Sequence, residues 1–186
     1  MVAVTQTEIT LESGDRLSRE EFHRRYQEHP EIKRAELVEG VVYVTSPVRH
    51  VQHGKPHGSV VALLGSYVAR HPELEFATDA TIKLDARNEV QPDACLFRTI
   101  PGGPAIDTDG YVESAPQLVV EVAASSVSYD LHDKKEAYRR NQVREYIVWR
   151  VLDQAIDWFR LEGSEYVRMT PDGHGVIAST IFPACA

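Results

Sequence analysis

Apolar and polar positions along the chain follow two rhythms, one of helices and one of strands. Phe22 and Tyr26 stand four residues apart in Ser18–Glu28, a spacing that predicts a helix, which Pro30 stops. Ser18 and Glu21 have capping-box spacing, with Leu17 and Phe22 placed as a hydrophobic staple. The run from Ala35 to Val44 reads as two short strands around Glu39-Gly40, a hairpin or bent strand. Pro56 opens a second predicted helix, continued by Val60, Val61, Leu64, Tyr67 and Val68 and ended by Pro72. Strands are predicted over 74–78, 81–84 and 90–97, and a long exposed connection over 98–116, which holds three prolines and three glycines. A buried strand over 117–123 precedes a third helix over 130–141. Strands over 145–151, 155–161 and 165–169, with a short one at 176–181, complete the pattern. This order predicts an α/β domain with one mixed, twisted sheet flanked by helices.

Length and composition narrow the class. A chain of 186 residues suits a single domain. Its core is expected over about 18–170, after a flexible N-terminus at 1–15. An ordinary globular composition excludes a disordered or fibrous chain. No apolar run approaches the roughly 20 residues needed to span a bilayer. The opening MVAVTQTEITLESGD lacks the basic and apolar regions of a secretory signal, so a cytoplasmic location is expected. Cys95 and Cys185 match no metal spacing and read as free thiols. The net charge of −8 argues against a general nucleic-acid binder. The window 134–150 is locally basic, however, which fits either a basic surface or a solvated helix face.

Chemistry concentrates at Glu36, Gln91-Pro92-Asp93, Glu121, Asp130 and Lys134. Glu121 interrupts the apolar run Leu118, Val119, Val120, Val122, Ala123, where a charge is costly unless it is paired or binds a cation. Carboxylates on neighbouring strands suit a hard cation such as Mg²⁺. The plainer alternatives are a strand-edge residue for Asp93 and a buried ion pair to an arginine for Glu121. Asp130, Lys134 and Tyr138 share a helix face, and a simple Asp130–Lys134 surface pair is the alternative there. Lys135 points about 100° away around the helix. His50, His53 and His57 have the spacing of a metal-binding helix face, but Gly54 and Pro56 interrupt it, and polar surface histidines are the preferred reading. Ser125, Ser126 and Ser128 lack a nucleophile-elbow motif and read as a loop or helix cap. Trp149 and Trp158 read as core residues rather than base-stacking platforms.

Taken in order, these pieces resemble the Uma-type family of bacterial restriction-endonuclease-like proteins, within the PD-(D/E)XK nuclease superfamily. The resemblance runs from about Glu36 to Met169. It rests on Ala-Glu-Leu-Val-Glu-Gly-Val-Val-Tyr-Val-Thr-Ser-Pro at 35–47, His57, Gln-Pro-Asp-Ala at 91–94 and Leu-Val-Val-Glu-Val at 118–122. Tyr-Asp-Leu-His-Asp-Lys at 129–134, Tyr138 and Arg-Glu-Tyr-Ile-Val-Trp at 144–149 complete it. It implies a restriction-endonuclease-like core that hydrolyses DNA with Mg²⁺ or Mn²⁺. Asp93 and Glu121 would hold the metal with Glu36 assisting, and a lysine would orient or help deprotonate the attacking water. The chain departs from the superfamily pattern at Ala123, where a strand lysine is usual, and the role passes to Lys134 on the following helix. It departs again at Asn141-Gln142, where Asn-Gly is common, and Asn141 is expected to take the left-handed conformation. Two other readings stand beside the nuclease. One is a non-cleaving module that binds nucleic acid or protein. The other is a structural oligomer whose acidic cluster is only a salt-bridge network. A homodimer is expected because the segment Ile147–Phe159 is rich in large apolar residues.

Overall fold

The computed structural model describes residues 10–45, 49–99 and 101–182; Cys185 and residues 1–9 lie outside them. Helix α1 (Arg19–Glu28) begins as its sequence predicts, with Ser18 Oγ accepting the Glu21 N–H at 3.3 Å. Strands β1 (Ala35–Val38) and β2 (Val41–Val44) form the expected antiparallel hairpin. Glu39 and Gly40 at its turn have φ of +51° and +77°, the pairing whose twist suits a two-residue hairpin. Helix α2 (Lys55–Val68) carries Pro56 in its first turn and is preceded by a π-helical turn over His50–Gly54.

Four strands follow: β3 (Leu74–Ala77), β4 (Ile82–Asp85), β5 (Asn88–Val90) and β6 (Ala94–Arg98). The segment 98–116 is not a bare loop, because β7 (Ala105–Ile106) and β8 (Val112–Glu113) pair within it. Strand β9 (Leu118–Ala123) leads into helix α3 over 127–140. Within α3 a π-helical turn, Asp130–Lys134, separates Val127–Tyr129 from Lys135–Arg140. Strands β10 (Glu145–Arg150), β11 (Ala155–Glu162) and β12 (Glu165–Arg168) follow.

The α/β class is as expected, but the strands divide between two mixed sheets rather than one. Their orders are β2-β1-β5-β4-β8-β7 and β12-β11-β10-β9-β6-β3. The division falls at Gln91-Pro92-Asp93, inside what the sequence presents as one strand. Pro92 has no N–H to give a ladder, so β5 ends in the first sheet and β6 starts in the second. The expected strand at 176–181 is also absent. Its amides are taken by side chains instead: Thr180 N–H goes to Glu145 Oε1, and the N–H groups of Ile181 and Phe182 go to Ser179 Oγ. The left-handed position after α3 is Gln142 (φ +63°), not Asn141. Asn141 keeps φ at −88° and donates its side-chain amide to Asp85 and to the Ala137 carbonyl.

The second sheet is packed on both faces. Cys95, Phe97, Val119, Val148 and Phe159 meet Ala137 and Tyr138 of α3 on one side. Leu96, Leu118, Val120 and Trp158 meet Leu64 and Tyr67 of α2 on the other. Trp158 is therefore core, as expected, with its indole N–H on Glu145 Oε2 at 3.1 Å. Burial pushes the Cys95 thiol up to about 12. Helix α1 covers the first sheet through Phe22, packed with Leu37 and Val42. The parallel pair β9 and β10 is bridged by α3, which sets the end of β9 beside that helix.

The hairpin turn offers a direct test of this arrangement. A Cβ on Gly40 would meet the Leu17 carbonyl and the Arg87 guanidinium at 3.4 Å, at a positive φ. Gly40→Val is expected to lower stability by about 1–3 kcal/mol, read as a shifted urea-unfolding midpoint with an unchanged slope.

Candidate active site

Strand periodicity places the acidic residues. Side chains alternate faces along a strand, so Glu121 shares the α3-facing side of β9 with Val119 and Ala123. Asp93 has the parity of Cys95, which faces α3 as well. Ala94 pairs with Val120, and extending that register by one residue sets Asp93 opposite Glu121. Glu36 reaches the same point from β1 in the other sheet. All three carboxylates are buried.

Lys134 lies at the centre, 1% exposed. Its Nζ is 2.9 Å from Glu36 Oε1, 3.2 Å from Glu36 Oε2 and 2.6 Å from Glu121 Oε1. Tyr138 OH donates to the same Glu121 oxygen at 2.9 Å. Glu36 Oε1 also accepts the Gln91 N–H at 2.7 Å. Asp93 Oδ2 accepts the Val122 N–H at 2.7 Å, while its Oδ1 is 3.3 Å from both Arg34 and His53. Asp130 is buried beside this group and accepts the Ser126 hydroxyl at 2.6 Å. An open cavity of about 500 Å³ brings together Arg34, Glu36, His53, Asp93, Glu121 and Lys134, with Tyr129 and Asp130 at its wall.

Several expectations change here. Glu121 pairs with a lysine, not an arginine. Asp130 and Lys134 are not a surface pair, since both are buried and Lys134 is given to Glu36 and Glu121. Lys135 lies outside this group, its Nζ 3.9 Å from the centre of the Phe159 ring. Ser126 stands at the cap position just before α3, but its hydroxyl donates to Asp130 and makes no capping hydrogen bond to the helix backbone. The locally basic window is largely ion-paired: Arg139 binds Glu136, Arg140 binds Glu39, and Arg150 binds Asp153 and Asp157.

The sequence did not assign three further residues to the site. His53, read as a surface histidine, joins its Nδ1 to the Val122 carbonyl at 3.1 Å and faces Asp93 with Nε2. His57 likewise reaches the Asp93 carbonyl, at 2.8 Å. Arg34 precedes β1 and donates to Asp79 at 2.9 Å, to Asp93 and to the Gln91 carbonyl. The only hint for Arg34 was its two-residue spacing from Glu36, which places them on one face of an extended segment.

The carboxyls are driven in opposite directions. Burial pushes Asp93 up, but the His53 and Arg34 contacts outweigh it and hold the group at about 2. Burial raises Asp130 to about 6, against the pull of Lys134 and Ser126. Glu121 is pushed well above the usual carboxylate range by burial and by Asp93, Asp130 and Glu36, with Lys134 opposing. Burial works against the charge on Lys134, yet Glu121 and Glu36 more than reverse it and raise its pKa. Paired acids whose environments separate their pKa values are a mark of acid–base sites.

The donor set fits a hard divalent cation in charge and in kind. Glu36, Asp93, Glu121 and Asp130 face the fixed cations Arg34 and Lys134, so the fully ionised cluster carries two surplus negative charges. His53 adds a third cation only when protonated. The Tyr129 hydroxyl on the cavity wall is buried without a hydrogen-bond partner. Among the described residues, no three Asp, Glu, His or Cys side chains already form a metal cage. The carboxylates are instead engaged by Lys134, which bridges Glu36 and Glu121, and by Arg34, which contacts Asp93.

An α/β domain that gathers buried carboxylates and a lysine between its two sheets and a helix is the arrangement expected of a restriction-endonuclease-like protein. The family model Uma2, described as "Putative restriction endonuclease", matches residues 19–186, and the chain belongs to that family. The match extends beyond Glu36–Met169 at both ends. The fold is also that of a solved structure, described as a putative nuclease belonging to DUF820, from Anabaena variabilis ATCC 29413. The two are 14% identical with a TM-score of 0.61, over 87% of this chain and 90% of that one. No curated protein matches this chain.

The buried lysine makes a stability prediction. Lys134→Ala leaves Glu36 and Glu121 without their shared cation, and is expected to cost about 3–5 kcal/mol. Lys135→Ala loses a ring contact and is expected to cost about 1 kcal/mol or less. Urea unfolding of the two variants at neutral pH measures the contrast.

Proposed function

We propose that the chain is a Mg²⁺- or Mn²⁺-dependent endonuclease acting on DNA phosphodiester bonds. The observation that carries this reading is the convergence of Glu36, Asp93, Glu121 and Lys134, from two sheets and a helix, on one open cavity. The family's restriction-endonuclease description supports DNA as the substrate. Asp93 and Glu121 would hold the ion, with Glu36 beside them. The ion would supply positive charge to the scissile phosphate and acidify a bound water.

The chain's own residues would do the positioning. The carboxylates around Lys134 keep its ammonium charged, which favours orienting the attacking water over removing its proton. Tyr138 fixes Glu121 through its hydroxyl. The Val122 amide and His53 fix Asp93. The Gln91 amide fixes Glu36. Such fixed geometry supplies the positioning on which a hydrolytic site depends.

Assays on plasmid, linear duplex and single-stranded DNA, with Mn²⁺ or with chelator, separate cleavage from binding alone. Asp93→Asn and Glu121→Gln are each expected to reduce cleavage by about a hundredfold or more, at least the loss seen when a metal ligand loses its supporting partner. Cleavage unchanged in both variants would reject this site. DNA binding without cleavage in the wild type would favour the non-cleaving module.

We also propose a homodimer, which would set two sites against the two strands of a duplex. Ile156 and Val167, 48% and 44% exposed, stand on one face of the paired strands β11 and β12, and Leu152 nearby is 61% exposed. No helix among the described residues is long and apolar enough to cross a membrane. Sedimentation equilibrium at micromolar concentration is expected to give the mass of two chains, and Ile156→Asp that of one. A wild-type monomer overturns the dimer.

A further inference from the structure

The metal reading leaves one pair of residues unexplained. Arg34 Nη1 is shared between two carboxylates of different character. One is Asp93, buried, at 3.3 Å; the other is Asp79, half exposed, at 2.9 Å. Its Nη2 is anchored on the Gln91 carbonyl. Asp79 is itself fixed to the same segment, since its N–H donates to the Pro92 carbonyl at 3.1 Å. His57 joins the two sides, with Nε2 at 2.8 Å from the Asp93 carbonyl and 3.9 Å from Asp79 Oδ2. The shorter of the two Arg34 contacts is thus the one outside the proposed metal ligands.

Resting on the metal-dependent reading above, we propose that Arg34 is a built-in counter-cation for Asp93 which a divalent ion must displace. Asp79 is the berth that keeps the guanidinium when Asp93 turns to the metal. Both act as positioning residues that set the affinity of the site, and neither touches the ion. Two like charges beside one carboxylate repel. An ion bound by Asp93 therefore gains from every increment by which Arg34 shifts its partnership to Asp79. The exchange needs no large movement, because the Gln91 carbonyl anchor is compatible with either partner. It also accounts for a donor set with surplus negative charge that is nonetheless not arranged as a cage.

The test is an equilibrium titration of the full chain with Mn²⁺, followed by electron paramagnetic resonance of the free ion at fixed pH and ionic strength. Removing the competing charge in Arg34→Gln is expected to tighten Mn²⁺ binding about tenfold. Asp79→Asn removes the berth and is expected to weaken binding several-fold. In the Arg34→Gln background, Asp79→Asn is expected to change nothing further, because the berth has no guanidinium to hold. A merely structural role predicts weaker binding in both single variants. Weaker or unchanged binding in Arg34→Gln, or unchanged binding in Asp79→Asn, overturns the proposal. Asp79 is half exposed, so its variant keeps the test decisive if Arg34→Gln folds poorly. Asp93→Asn separates the two levels of the argument. Mn²⁺ binding that survives it unchanged, or no binding by the wild type, rejects the metal site itself. Binding lost in Asp93→Asn but not tightened in Arg34→Gln rejects the arginine exchange alone.

Discussion

A single ammonium group joins three parts of this molecule. Lys134 comes from helix α3, Glu36 from the first sheet and Glu121 from the second, and the three side chains meet almost wholly buried at the floor of the open cavity. A charge in such a place is tolerated only where opposite charges and hydrogen-bond partners surround it. Its position therefore constrains the docking of α3 on the second sheet and the approach of the first sheet to both. Tyr138, one helical turn further on, adds a neutral hydrogen bond to the same carboxylate. The apolar layer behind it, with Ala137, Val119 and Val148, supplies the ordinary packing that keeps water away.

The backbone around this cluster is irregular in functionally suggestive places. A π-helical turn covers Asp130–Lys134, and another covers His50–Gly54, which contains His53. Such turns are uncommon and recur at functional sites. Each inserts extra backbone per turn and so re-aims the side chains it carries. Pro92 does comparable work between the sheets. It ends one strand, and the turn away from the first sheet delivers Asp93 to the position opposite Glu121.

The same group has opposing electrostatic demands. Four carboxylates against two fixed cations is a poor balance for stability alone, and burial drives Glu121 and Asp130 toward their neutral forms. Asp93 escapes this because Arg34, His53 and the Val122 amide all face it. One cavity wall thus holds a firmly ionised carboxylate beside others raised toward neutrality, a division of labour that suits a cation and a proton in the same site.

The sequence alone determined the capped helix after Ser18, the α/β class, a turn at Glu39-Gly40 and the costly carboxylate Glu121 within its apolar strand. Each rests on local physics: capping hydrogen bonds, side-chain periodicity, turn conformation and the cost of a charge inside an apolar run. Glu36, Asp93 and Lys134 stood out as candidates, but the roles of Glu36 and Lys134 came from the ordered family resemblance, not from local physics. Only the tertiary structure decided what those charges face. That the strands split into two sheets at Pro92 depends on ladder partners distant in sequence. That Lys134 is buried between Glu36 and Glu121, instead of paired with Asp130 on a helix surface, depends on how α3 docks. His53 and Arg34 entered the site for the same reason. Their roles come from contacts with Val122, Asp93 and Gln91 across long stretches of chain, and no local spacing encodes such contacts.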